Sequence, residues 1–316
     1  MIRPGVIPLA WLGKKTRNDG LTAVVTAETG NHVATVTRAR SGAPRVAFQR
    51  SSPDTAGASG LKRLIERSIA ARFRTSTLLD RKDYQLLLVE APDVRPDELR
   101  AAVRWRIKDL IGFHVDDAII DVFEIPDQRH ANRNRMMYAI AARARRIVER
   151  ADLIDAAGLA ADIVDIPEMA VRNLAMLIPE ESRGLALIHL DDTGGIITIS
   201  RQGTLYLTRR LDTGARELLD AEESQRNVLC EGVLLEVQRS LDYYESHFPH
   251  GPVAAIALTP TAAATPLAGY LPQQLETPVL APALEDLLEF DEPPGMLDGN
   301  AILAIGSALR QETRAL

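Results

Sequence analysis

Leu185-Ala-Leu-Ile-His189, Asp191-Asp192-Thr193-Gly194-Gly195, Ile196-Ile-Thr-Ile-Ser200, Arg201-Gln202-Gly203 and Thr204-Leu-Tyr-Leu-Thr208 stand in succession, and their order decides the fold. The three apolar runs have the length and β-branched content of short buried strands, and the segments between them carry the Gly and Asp residues of tight turns. Leu185 to Asp212 therefore predicts a three-stranded meander, with a long helix after it.

The same order of elements recurs near the N-terminus. Leu21 to Ala27, His32 to Arg38 and Arg45 to Arg50 are β-rich runs separated by Glu28-Thr29-Gly30-Asn31 and Ser41-Gly42-Ala43-Pro44, and helical spacing follows from Leu61 to Phe73. A repeat distance of roughly 160 residues is too long for a solenoid and predicts two related lobes. Two facing βββα lobes resemble the actin-like, ribonuclease H-like ATPases, an α/β bilobed fold. That resemblance implies an Asp and small Gly-containing residues in each first hairpin turn, because phosphates need close backbone N–H groups and Mg²⁺ needs a carboxylate. Here Thr26 and Glu28 stand in the first turn, and His189 and Asp191 stand at the matching places of the second. Neither turn keeps the acid-then-glycine order. The expectation is a degenerate nucleotide cleft near Thr26, Glu28, His189, Asp191, Gly194 and Gly306, with no ATP hydrolysis, no metal site, and ATP and Mg²⁺ disfavoured as cofactors.

Composition agrees with a soluble bilobed protein. With 316 residues, 46% hydrophobic and 25% charged, the chain can bury one large or two moderate cores. No apolar run nears the roughly 18 residues of a spanning helix. Val6-Ile-Pro-Leu-Ala-Trp-Leu12 contains Pro8 and precedes its basic residues, so it does not read as a secretory leader. A single cysteine, Cys230, excludes an internal disulfide and a cysteine zinc site and predicts a reducing compartment. A net charge of −6, with 37 basic residues spread along the chain, argues against a nucleic-acid surface. Residues 1–20 read as a flexible basic arm. Trp11 and Leu12 beside Lys14, Lys15 and Arg17 suit a peripheral membrane contact, but three charges at about 1 kcal/mol each are a thin signal, and an untethered tail is the plainer reading.

Between the meanders, Tyr84 to Glu90 predicts a strand. Pro96, Asp97 and Glu98 mark a helix start, since acids suit its positive end. Leu99, Val103, Ile107, Leu110 and Ile111 then recur at helical spacing as one buried face, with Gly112 as the stop. Asp117 to Glu124 closes a βαβ insertion expected at about 84–126, inside a first lobe of 21–178 and ahead of a second lobe of 179–316. Asp127 to Arg135 reads as an exposed loop. Met136 to Ala142, Arg145 to Ala157 and Ala161 to Asp165 follow as strand, helix and strand.

Arg104-Trp-Arg-Ile-Lys-Asp-Leu-Ile-Gly-Phe113, Val164-Asp-Ile-Pro-Glu-Met-Ala170 and Glu236-Val-Gln-Arg-Ser-Leu-Asp-Tyr-Tyr244 resemble the MshI proteins of MSHA pilus biogenesis, relatives of PilM in type IV pilus systems. Leu303-Ala-Ile-Gly-Ser-Ala-Leu-Arg310 is similar to the closing helix of that group, near the adenosine pocket of its nucleotide-binding members. Several motifs in order across residues 21 to 311 are more specific than any one alone. The resemblance implies an actin-like fold with the inserted small subdomain of PilM and FtsA, in the cytoplasm and peripheral to the inner membrane. It also implies a partner, the short cytoplasmic tail of a bitopic, PilN-like membrane protein, held between the inserted subdomain and the first lobe. Leu86, Leu88 and Glu90 would offer that tail a strand edge, and Arg100, Arg104 and Lys108 would line the groove, with Arg104 or Lys108 meeting an acidic group. PilM keeps the glycines and acids of its phosphate loops and this chain does not. The expected function is therefore a non-catalytic assembly scaffold of a type IV, MSHA-type pilus system; the alternative is an ATP-binding conformational switch of the same machinery.

Other chemistry fails residue by residue. His247 and His250 flank Pro249 beyond a helix end, which removes the shared helical face of a metal pair. Cys230 beside Glu231 sits among acids, which disfavours a reactive thiolate. Trp105 among Arg104, Arg106 and Lys108 belongs to the solvated face of a helix that buries Val103 and Ile107. From about Gly232 to Phe248 a long helix buries Val233, Leu234, Val237, Leu241, Tyr244 and Phe248.

Overall fold

The protein was analysed as a computed structural model, which describes residues 17–38, 43–53, 56–128, 135–295 and 297–311. The basic arm through Lys15 and most of the Asp127 to Arg135 loop lie outside the described residues.

The chain opens with β1 (Arg17–Ala27), β2 (Gly30–Arg38) and β3 (Pro44–Pro53), then α1 (Ala58–Ile65) and β4 (Phe73–Leu78). An inserted unit follows: β5 (Tyr84–Glu90), α2 (Leu99–Ile107), β6 (Ala118–Glu124) and β7 (Met136–Arg143). The chain returns through α3 (Ala144–Ala156), β8 (Ala161–Asp165) and α4 (Pro167–Ala175). The second meander is β9 (Leu185–Asp191), β10 (Gly194–Arg201) and β11 (Thr204–Leu211), followed by α5 (Ala215–Asp220), α6 (Glu223–His247) and β12 (Ala255–Leu258). The chain ends with α7 (Ala264–Tyr270), β13 (Val279–Leu280), α8 (Leu284–Leu287), β14 (Glu289–Phe290) and α9 (Gly299–Ala308).

The two large sheets share one strand order. The first runs β3-β2-β1-β4-β8 with β14 added outside β3, and the second runs β11-β10-β9-β12-β13. In each, the meander is antiparallel and the two strands after it are parallel. Ala23, Val25, Leu185 and Leu187 face a common core with α4 and α9, which lie between the sheets. The outer face of the first sheet packs Val24 and Val33 against Leu61 of α1 and Ile154 of α3. The outer face of the second packs Ile188 and Ile197 against Val233, Val237 and Leu241 of α6 and Leu267 of α7. The predicted stripe of α6 is buried along its length, and the helix begins earlier than expected, at Glu223.

Several boundaries differ from expectation. β1 starts at Arg17, inside the arm expected to reach residue 20. β14 pairs with β3, so the C-terminal segment returns to the first sheet instead of staying within a second lobe of 179–316. The insertion is not a βαβ unit ending near residue 126. Its sheet has the order β5-β7-β6, so β7 lies between the other two strands and pairs antiparallel with both. The helix expected from Leu61 to Phe73 stops at Ile65, and Phe73 begins β4, a central strand that reads as polar. Its hydroxyls are matched only across the fold: Thr77 Oγ1 donates to the Val24 carbonyl at 2.9 Å, and Ser76 Oγ meets Ser307 Oγ at 2.9 Å.

Within the insertion, Val103 and Ile107 are buried against Val89, Met137 and Ala139. Leu110 does not join them. The helix ends at Ile107 and not at Gly112, the chain turns, and Leu110 is 57% exposed while Ile111 folds back under the helix. Ile107→Ala is therefore expected to cost about 2–5 kcal/mol in chemical denaturation, and Leu110→Ala to stay within about 0.5 kcal/mol.

Candidate functional site

The first turns of the two meanders face each other. Ala27 pairs with Gly30 and Asp191 with Gly194, so each loop has two residues, Glu28-Thr29 and Asp192-Thr193. This register pairs Glu28 with Asp192 and Ala27 with Asp191 between the lobes. The sequence-based match of Thr26 and Glu28 to His189 and Asp191 is off by one, and in a strand one residue reverses which face a side chain takes.

The turns touch directly. Thr29 Oγ1 donates to Asp192 Oδ2 at 2.8 Å. Asp191 Oδ1 accepts from the Thr193 backbone N–H at 3.0 Å and from its hydroxyl at 3.2 Å, and Oδ2 takes a guanidinium N–H of Arg81. Arg81 stands on the turn after β4, beside Asp80 and Lys82. Asp80 pairs with the buried Arg150 at 2.9 Å, and Arg150 also donates to the Thr26 carbonyl at 3.1 Å. Burial pushes the Asp80 carboxyl up, against the pull of Arg150. Lys82 meets Glu28 at 2.8 Å on the open surface and holds that carboxyl below its usual range, first through the hydrogen bond. A cleft of about 330 Å³ remains, lined by Thr26, Leu79, Arg81, Asp191 and Asn300.

Of the predicted cleft residues, Thr26, Glu28 and Asp191 are present in the lining. Gly194 adjoins it, and a methyl built there would fall 2.5 Å from Arg81 Nη1. His189 lies behind the cleft, fully buried, with Nδ1 3.2 Å from Thr259 Oγ1. Gly306 is elsewhere: it lets α9 pack directly on the Ala170 carbonyl of α4, and its own carbonyl accepts from Asn173 at 2.9 Å. Sequence reasoning missed Arg81, Asp80 and Arg150, because the charged Asp80-Arg81-Lys82-Asp83 turn follows a strand whose polar sequence hid it. Arg81 occupies the space over Gly194 and both Asp191 oxygens have partners within the chain, so a Mg-nucleotide reaching this turn would have to displace the guanidinium. No cluster of three metal-ligating side chains occurs among the described residues.

A second concavity lies where the inserted sheet meets the second lobe. The Ala91 N–H donates to the Arg135 carbonyl, and antiparallel alternation then turns the N–H and C=O groups of Leu86 and Leu88 away from β7. β5 is an edge strand, and among the described residues no strand lies beside these groups. Leu86 and Leu88 line a groove of about 320 Å³ with Tyr138, Glu168, Leu207, Arg210 and Tyr243. Glu168 is 1% exposed; its Oε2 accepts from Tyr84 Oη at 2.5 Å, and Oε1 lies 4.0 Å from Arg210 Nε. Arg210 also stacks over the Tyr84 ring at 5.0 Å. Burial pushes the Glu168 carboxyl up, against the Tyr84 hydrogen bond and the Arg210 charge. Tyr138 Oη accepts from the Thr208 N–H at 3.2 Å, and burial raises that phenol to about 12.

The six predicted groove residues are not brought together. Leu86 and Leu88 face the second lobe, whereas α2 covers the opposite face of the inserted sheet through Leu87 and Val89. Arg100 pairs with Asp121 at 3.0 Å and Arg104 donates to the Val115 and Ala118 carbonyls, both on the β6 side. Glu90 is engaged by Arg106, and Lys108 lies over the 72% exposed Trp105. The groove thus separates the insertion from the second lobe's β11, not from the first lobe. The acids expected to disfavour a Cys230 thiolate are not what acts on it: burial raises its thiol pKa, with Arg226 opposing.

Two sheets of one strand order closing on a shared helical layer, with a cleft between their first turns, define an actin-like α/β fold. A family model, Type IV pilus assembly protein PilM, matches residues 87–227, under half of the chain. A chain of the PilM-PilN type IV pilus biogenesis complex is similar over 92% of this chain and 98% of its own length, with 16% identity and a TM-score of 0.68. The cytoplasmic domain of EpsL, an inner membrane component of the type II secretion system of Vibrio cholerae, is similar over 93% of this chain and 97% of that one, with 15% identity and a TM-score of 0.53. A Bacteroides thetaiotaomicron protein with an actin-like ATPase fold is similar over 86% and 93%, at 8% identity and a TM-score of 0.50. At these identities the likeness is one of fold. Comparison with curated proteins gives no match.

Burial lowers the His189 pKa from 6.5 to about 4, with Arg81 lowering it further and Asp191 opposing. Between those values the unfolded chain binds a proton that the folded imidazole refuses, so this group makes stability fall as pH drops from 6.5 toward 4. Unfolding free energies of wild type and His189→Gln measured across that window are expected to differ in slope, with the variant losing less stability per pH unit.

Proposed function

We propose that this chain is a PilM-like assembly scaffold of a type IV pilus system, of the MSHA type, acting without catalysis at the cytoplasmic face of the inner membrane. Its task is to hold the extended cytoplasmic tail of a PilN-like membrane partner. The observation that carries this reading is the unpaired outer edge of β5 above the groove. An added strand gains affinity from main-chain hydrogen bonds to such an edge and selectivity from pockets for alternate side chains. Leu86, Leu88, Tyr138 and Tyr243 supply apolar pockets, and the half-exposed Arg210 offers a cation at the rim. The PilM-PilN likeness supports a partner of this kind, and no helix among the described residues is long and apolar enough to cross a membrane by itself. The alternative, an ATP-driven switch, requires Arg81 to leave Gly194.

With a synthetic peptide of the partner's tail, Leu88→Pro, which removes an outward N–H that an edge strand can spare, is expected to weaken binding at least tenfold, as is Arg210→Glu. Arg104→Glu should leave affinity within about twofold, since that side chain is on the far side of the insertion; tenfold corresponds to about 1.4 kcal/mol. Full affinity in folded Leu88→Pro and Arg210→Glu would remove this groove from the account.

Millimolar Mg-ATP is expected to shift the melting temperature by less than about 1 °C and to release no phosphate, whereas a ligand at a hundred times its Kd would add about 2.7 kcal/mol. A shift of that larger size would favour the switch.

A further inference from the structure

We infer that Arg81 is an internal latch that takes over from a bound ligand the task of setting the angle between the two lobes. Its guanidinium reaches from the turn after β4, in the first lobe, to Asp191 at the end of β9 in the second, and both side chains are largely buried. It lies against Gly194, with its Nη1 2.5 Å from where a Cβ would stand, so the close approach needs a glycine. One cationic side chain therefore bridges the acid of one lobe to the body of the other, which is the electrical role a divalent ion and its anion would share. The Thr29 to Asp192 hydrogen bond closes the same gap one residue further out. Asp191 is held for this contact from its own side, because its second oxygen is fixed by Thr193. By contrast, the neighbouring Lys82 to Glu28 pair joins two first-lobe residues on the open surface and cannot fix an angle between lobes.

The latch has a reach beyond the cleft. One wall of the groove, Leu86 and Leu88, belongs to the insertion carried by the first lobe, and the facing wall, Leu207 to Arg210, belongs to β11 of the second. The angle held by Arg81 therefore fixes the width of that groove without any nucleotide. The groove's role as a partner site rests on the function proposed above; the latch does not.

Hydrogen exchange on the full chain, followed at the amides of residues 27–30 and 191–195, tests it. Arg81→Ala is expected to speed exchange at both turns at least tenfold, and Lys82→Ala to leave it unchanged. The exchanged pair Arg81→Asp with Asp191→Arg should recover most of the protection. If Arg81→Ala does not fold, Asp191→Asn, which keeps the Thr193 contacts and loses the charge, provides the same reading. Wild-type exchange rates at both turns in the latch variants, or an equal effect from Lys82→Ala, would overturn the latch. So would protection of the wild-type turns on adding Mg-ATP, because a ligand would then be setting the angle. In the same variants the tail peptide should bind at least fivefold more weakly. A peptide that fails to bind wild type rejects the proposed partner and leaves the exchange result to decide the latch.

Discussion

The structure depends on the burial of two helices, α4 and α9, between two sheets. Every residue of α9 from Gly299 to Ala308 is buried, which is the mark of a helix with apolar surroundings on all sides. Side chains of ordinary size would hold α9 away from α4, and Gly306 removes that obstacle by letting the backbones meet at Ala170. The ends of α9 are fixed by charge and hydrogen bonds: Asp298 caps its start with a bond to the Ala301 N–H at 2.8 Å, and beyond its end Arg310 pairs with the buried Asp165 of the first sheet. With this layer in place, the faces of β1 and β9 that bear Val25 and Leu187 are committed to it, and the turns at their ends are brought opposite each other.

That juxtaposition explains the chemistry of the cleft. Facing turns set the neighbouring Asp191 and Asp192 of one lobe against the other, and adjacent carboxylates in a partly desolvated place need cations or donors. A metal-bound nucleotide is one way to meet this need. Here the chain meets it from within, through Arg81 and Thr29, and the buried His189 beneath them stays neutral. The turn acid that the resemblance to actin-like proteins assigns to a ligand is here engaged by an ion pair between the lobes.

The insertion obeys a different constraint. Its sheet has three strands, and α2 can cover only one face, so the other must find apolar cover on the second lobe. It does so through Tyr138, Phe123 and Leu86. The fit is incomplete at β5, and the uncovered part becomes a groove with a free strand edge. The same incomplete cover leaves Glu168 at the floor, kept in place by Tyr84 and Arg210.

The sequence by itself determined the two meanders, because alternation and turn chemistry are local and a strand of Ile196-Ile-Thr-Ile-Ser200 type has few other uses. It also determined the doubled architecture, the long core stripe of α6 and the burial of Val103 and Ile107. Only the tertiary structure decided where polar segments belong. β4 reads only as polar, since Thr75, Ser76 and Thr77 are content in water, and they become a central strand when partners such as Val24 and Ser307 arrive from distant segments. Leu110 fits the helical period but lies past the last hydrogen-bonded turn, and period carries no information about where a helix ends. The two sides of the insertion were likewise invisible, because a list of residues on one strand and one helix does not say that the helix covers the face opposite the groove. Arg81 shows the same limit most clearly: its charge is plain in the sequence, but its partner is 110 residues away, and nothing local to either residue points to the pairing.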